Sequence, residues 1–208
     1  CAPVPVILAV MISEVKSSRF KRIFQTTTTL PHYISWVIIY SLAFSMFSSE
    51  GAINTILMRL NIIDTPFNVL GNSDQVWITQ TLILLWKTLG WNAIIYLAAI
   101  VSIDGEMYDA AKVDGAGRLK TILHITIPSI MPTFIVLQLL AISNLLSAGF
   151  EQYLVFNNVM VADKIEVIDL YVYRVGLVMN DYPYSTAVGI FKSVISIVLL
   201  FLVNGLSK

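Results

Sequence analysis

The chain has 208 residues, 57% of them hydrophobic and only 12% charged, with thirteen Lys and Arg balancing thirteen Asp and Glu. Soluble domains carry about 25% charged residues, so half the charge that would keep such a surface dispersed in water is missing, and the composition suits a chain solvated by lipid. A formal net charge of zero leaves no global field to attract nucleic acid or an acidic substrate.

Cys1 is the only cysteine, which excludes an internal disulfide and argues against a Cys/His metal cluster. A first-position Cys is where a processed lipoprotein carries its lipid. Val4 to Met11 is continuously apolar, however, so the expectation is a chain that begins inside a helix. Ala2 to Ile12 then reads as the last half of a transmembrane helix, since a full span takes about 20 apolar residues. Ser13 to Arg22 follows as a short loop in which Lys16, Arg19, Lys21 and Arg22 are basic, and positive charge marks the cytoplasmic side.

The second apolar run, Tyr33 to Phe47, is entered through Leu30-Pro31 and edged by His32, Tyr33 and Trp36 as an interfacial belt. Ser48 to Gly51 ends it. Asn54 to Asp74 is expected to be external, with an amphipathic piece from Ala52 to Leu60 and a turn region around Pro66 and Gly71. Val76 to Val101 is the third run and carries Trp77, Trp86, Trp91, Tyr96 and one charge, Lys87. Lys87 lies about 11 residues, roughly 16 Å, from the nearer end. That is too deep for snorkelling, so its ammonium requires a water-filled pathway or a partner.

Ile122 to Ala148 is the fourth run, interrupted by Pro128 and Pro132, each of which removes an amide donor and kinks a helix. Gly149 to Tyr182 reads as a second external segment, with Glu151, Asp163, Glu166, Asp169 and Asp181 against Lys164 and Arg174. Ile165 to Met179 within it has the spacing of a surface helix. Tyr184 to Val203 is the last run, with Lys192 near its outer end, where it either snorkels or faces a pathway. The basic first loop, the central stretch with Lys112, Arg118 and Lys120, and the Lys208 tail all fall on one side by parity. The fold class is therefore all-α, a polytopic transmembrane helix bundle forming one domain over residues 1–208, with one partial and four complete spans. His32 and His124 have no ligand partners at metal spacing, and no Ser/His/Asp nucleophilic arrangement is present.

The polar stretch from Ile103 to Pro128 stands between the third and fourth runs. Ser102 or Asp104 is placed to cap a helix, with Glu106 and Asp109 near the positive end of its dipole. Met107, Ala110 and Ala111 lie close to one face, and alanines there let a partner surface approach. Gly115 is a natural left-handed terminator, after which Asp114 is placed to cap a second helix carrying Arg118 and Lys120. A helical elbow of this kind, running from 103 to 121, is suited to docking a protein.

Asp109-Ala110-Ala111, three residues, Gly115, nine residues, then Ile125-Thr126-Ile127-Pro128 resembles the EAA signature of permease subunits in bacterial ABC importers. Both spacings match; Asp109 stands for the Glu and Ile127 for a Leu. Gly51 to Asn54, Asn61 to Asp64, Trp86 to Asn92, Phe150 to Gln152 and Ala187 to Ser193 resemble, more loosely, the maltose-type carbohydrate branch and its lipoprotein-associated oligosaccharide permeases. The resemblance implies a type I importer fold whose coupling helix lies in Glu106 to Gly117. Glu106, Met107, Asp109, Ala110, Ala111, Asp114, Gly115 and Gly117 would engage a dimer of separate ATPase subunits.

The resemblance further implies a second, non-identical permease, an extracellular solute-binding protein and a bacterial cytoplasmic membrane. ATP and Mg would sit on the ATPase, with no cofactor on this chain; the Gly-x-x-x-x-Gly-Lys-Ser/Thr phosphate loop is absent. Lys87, Trp86, Asn92 and Lys192 are the candidate pathway residues for a sugar. Three alternatives stay open: a permease for amino acids, peptides or phosphate esters; an ion-driven transporter, which would require paired carboxylates that the apolar runs lack; and a membrane-bound sensor or scaffold.

Overall fold

The computed structural model describes residues 3–146 and 149–206, and every regular element among them is helical. The expectations attached to Cys1, to the Ala148 end of the fourth run and to the Lys208 tail lie outside those residues. The chain divides into two compact units, one of residues 1–33, 84–142 and 203–208, the other of residues 34–83 and 143–202.

In the first unit, α1 spans Pro3–Ser13 and α2 spans Ser18–Thr29. The loop expected over Ser13 to Arg22 is confined to Glu14–Ser17, because Ser17 accepts a hydrogen bond from the Phe20 amide and starts a helix. Phe20, Ile23 and Phe24 recur at helical spacing there, a pattern obscured by Arg19, Lys21 and Arg22. A 3₁₀ turn, Leu30–Tyr33, ends α2. Numbered in chain order, the next helices are α3, Trp36–Phe47, and α4, Ala52–Arg59, of the second unit, followed by α5, Val76–Val101. A Cβ added at Gly90 of α5 would lie 2.1 Å from the Thr28 carbonyl oxygen, so only glycine lets α2 come this close to α5.

The elbow after α5 contains α6, Gly105–Val113, and α7, Arg118–Thr121; a π turn, Ile122–Thr126, leads into α8, Ile127–Ser143. Ala93, Tyr96, Leu97 and Ile100 share one face of α5 and form a core with Ala9, Ile12 and Ile130. The described part of the fourth run leaves helical structure at Ser143, before the expected end.

The second unit is completed by α9, Phe150–Phe156, α10, Ala162–Ile165, and α11, Ile168–Tyr173. A second π turn, Arg174–Val178, follows, and α12 covers Tyr182–Leu206. The surface helix expected from Ile165 thus starts at Ile168, because Val167 is extended. Its core gathers Ile39 and Ala43 of α3, Val76, Phe156, Val161 and Ile165. Asn54, 1% exposed, closes the chain around α4: its Nδ2 donates to the carbonyls of Ser48 (2.8 Å) and Phe67 (2.7 Å), and its Oδ1 accepts from the Phe67 amide.

Four described stretches are long and apolar enough to cross a bilayer: Trp36–Arg59, Val76–Val101, Arg118–Ser143 and Tyr182–Gly205. The first runs on past Phe47, where the sequence reading stopped. α3 alone rises only about 18 Å against a hydrocarbon core of about 30 Å, and a tight turn at Ser48–Gly51 separates it from α4.

Candidate docking elbow and polar groove

The elbow is set by local chemistry at both ends of α6. The Asp104 carboxylate accepts from the Glu106 amide at 3.0 Å, satisfying a donor that the first turn leaves orphaned, and Glu106 sits near the positive end of the dipole. At the other end the Ala116 amide donates to the Ala111 carbonyl (2.9 Å) and the Gly115 amide to the Lys112 carbonyl (3.1 Å). This pair of bonds is the Schellman closure, and it puts Gly115 at φ +68°, a region costly for any residue with a Cβ. The expected Asp114 cap of α7 is not formed: Gly117 occupies that position, extended and without a side-chain bond. Asp114 instead ends α6.

No residue of α6 is buried. Glu106, Met107, Asp109 and Ala110 are exposed, as are Asp114, Gly115 and Gly117. Ala111 departs from the face the sequence assigned it. It is half-buried and lines a cavity of about 340 Å³ with Asp114, Ala116, Lys120, Thr121 and His124. Asp109 is paired within the helix to Lys112 at 2.7 Å. Two apolar residues that the sequence reading passed over stand in the open, Val113 at 88% and Leu119 at 75% exposure; Leu119 lies in the membrane-crossing stretch from Arg118, whereas Val113 belongs to the exposed helix before it. Tyr108, also unremarked, is half-buried and bonds Thr126. Nothing in its type distinguished it from any aromatic on a helix.

The π turn has an identifiable cause. Pro128 lacks an amide, and its ring crowds the carbonyl four residues back, at His124. The preceding turn widens, and the Ile127 amide donates five residues back, to Ile122.

Of the candidate pathway residues, Trp86, Lys87 and Asn92 belong to the first unit and Lys192 to the second. Lys87 is 8% exposed and its ammonium donates to the carbonyls of Pro31 (3.3 Å) and His32 (3.1 Å). The buried charge thus holds the end of the 3₁₀ turn, where the sequence suggested a pathway or an ion pair. His32 stacks on Trp91, ring centroids 4.6 Å apart. Lys192 makes an ion pair with Asp169 of α11 rather than snorkelling. Trp86 is 45% exposed. Asn92 lines a cavity of about 390 Å³ with Thr88 and Tyr96 of the same α5 face, Gln138 of α8 and apolar Pro5 and Leu137. A few polar side chains in an apolar concavity are the usual composition of a small-molecule site.

Residues 2–208 match the family model described as binding-protein-dependent transport system inner membrane component. The chain is 40% identical over 209 residues to Protein LplB of Bacillus subtilis (strain 168), covering 99% of this chain and 64% of that protein. It is equally 40% identical, over 207 residues and the same shares, to the polygalacturonan/rhamnogalacturonan transport system permease protein YteP of the same organism. A solved bacterial alginate ABC transporter, in complex with an alginate pentasaccharide-bound periplasmic protein, contains a chain similar to this one. That chain has a TM-score of 0.93 and 35% identity, with 100% of this chain and 72% of that chain covered. The chain therefore spans just under two thirds of the length of these curated relatives.

Proposed function

The chain belongs to the binding-protein-dependent transport system inner membrane component family, and from that premise we propose that it is the membrane-spanning permease subunit of an ATP-driven importer of oligosaccharides. It forms half of a translocation pathway in the bacterial cytoplasmic membrane, paired with a second, non-identical permease. The elbow docks on a dimer of ATPase subunits that bind ATP and Mg, and a solute-binding protein delivers the sugar. The permease itself catalyses nothing. It alternates between two packings of its helices, biased by the nucleotide cycle of its partner.

The observation that carries this reading is the elbow: a helix with no buried residue, closed by a left-handed Gly115, presenting Met107, Ala110 and Val113 to the outside. The EAA spacing and the family match over nearly the whole chain support its role in coupling. The sugar cargo is supported by the names of the relatives, which cite polygalacturonan, rhamnogalacturonan and alginate. It is also supported by the groove at Asn92, where the half-buried carboxamides of Asn92 and Gln138 are able to hydrogen-bond hydroxyls.

The test is Gly115→Val. Forcing a β-branched residue into the left-handed region costs about 1–2 kcal/mol, while open space around Gly115 spares the rest of the bundle. Sugar uptake by cells is expected to fall sharply while the permease remains in the membrane. Uptake at the unsubstituted rate would overturn the docking role.

A further inference from the structure

α6 is an exposed helix in which Tyr108 and Ala111 are half-buried. None of its residues is buried, and the link after it passes through Gly115 and Gly117, around which an added Cβ would meet no atom within 4 Å. The link is closed by its Schellman bonds and packs nothing at those two positions. Among the described residues, Tyr108 of α6 reaches beyond the elbow with a side-chain hydrogen bond. The Tyr108 hydroxyl lies 3.1 Å from Oγ1 of Thr126, and either oxygen is able to donate. Thr126 is 3% exposed and is the last residue of the π turn, two positions before Pro128.

The π turn and an α turn are discrete arrangements differing by one residue in their hydrogen-bond step, and the base of α8 carries the wider of the two, before Pro128. We propose that the Tyr108–Thr126 hydrogen bond is the positioning contact by which displacement of α6 is delivered to the base of α8 at the π turn. Tyr108 and Thr126 are positioning residues that act through α8 and touch no substrate or nucleotide. The inference rests on the docking reading above. Its reach is bounded: a contact biases two states only by its differential strength between them.

The experiment uses the complete transporter reconstituted in proteoliposomes with its solute-binding protein. It measures sugar delivered per ATP hydrolysed and ATPase retained on purification. Tyr108→Phe and Thr126→Val each remove one hydroxyl and keep the shape. Each is expected to lower sugar per ATP by about three- to ten-fold, the range one partly buried neutral hydrogen bond supports, with the ATPase retained. The double variant is expected to match either single one, and Thr126→Ser, which keeps the hydroxyl, to transport as the parent does. Transport by Tyr108→Phe at the parent ratio, multiplicative losses in the double variant, or loss of the ATPase from Tyr108→Phe would each overturn the proposal. Gly115→Val run alongside separates the two readings. If it uncouples while Tyr108→Phe does not, only this link fails; if neither uncouples, the docking role fails with it.

Discussion

The elbow from Ile103 to Thr121 and the segment from Gly149 to Val178 are both polar interruptions between apolar helices, yet they are held in opposite ways. The segment carries its own interior. Gln152 is fully buried and its amide donates to the backbone carbonyl of Gln80 (2.9 Å) and to the Gln80 side chain (2.7 Å). Phe156, Val161 and Ile165 enter the core beside α3, and Asn158 donates to the Leu70 carbonyl. Burial also raises the Tyr153 hydroxyl above the ordinary tyrosine pKa. Contacts in the elbow are mostly local: a cap, a Schellman closure and an i,i+3 ion pair. A region that spends polar groups on distant partners holds itself in place, whereas one that closes mostly on itself leaves Val113 in the open for a neighbour to cover.

That contrast predicts where substitutions are felt. Gln152→Ala should have the largest effect, about 3 kcal/mol, from a cavity and from stranding the side-chain carbonyl oxygen of Gln80, a residue itself 3% exposed. Unfolding in detergent, followed by near-ultraviolet circular dichroism, measures it, and a change within 0.5 kcal/mol or so would remove the distinction between the regions. Lys192→Met comes next. Its side chain is 17% exposed and that of Asp169 18%, so the stranded carboxylate is partly solvated. The expected loss is about 2 kcal/mol, below the range for fully buried pairs. Replacing Asp169 with Leu in the same chain should recover most of it, since an apolar pair of similar volume carries no desolvation penalty.

What the sequence discloses follows the same division. Asp104 as a cap, Gly115 as a left-handed stop and the long apolar stretch of α5 are local features, legible because composition and spacing within a few residues decide them. The partners of the two embedded lysines are not. Physical cost shows that Lys87 needs a pathway or a partner and leaves Lys192 to snorkel or face a pathway, but the carbonyls at Pro31 and His32 lie more than fifty positions away and Asp169 more than twenty. The helix over Ser18–Thr29 was hidden by its own charges, and the widened turn before Pro128 leaves no periodic signal because it is one irregular step. Tyr108 escaped notice because its meaning depends on Thr126, brought near only by the elbow's fold.

The smallest effect is expected at the most conspicuous charge pair of the elbow. Lys112 and Asp109 approach to 2.7 Å, but their side chains are 74% and 75% exposed, and water screens them almost as well apart as together. Exposed pairs at this spacing contribute about 0.2–0.5 kcal/mol, so Lys112→Ala should leave the unfolding curve within that range of the parent. The elbow would then have a helix whose stability is set by its two ends and a surface free to change its charge. If Lys112→Ala lowered stability by as much as Gln152→Ala, the elbow would be holding itself together through side chains in the way the 149–178 segment does. Its exposed face would then be part of a self-sufficient fold and not an incomplete one.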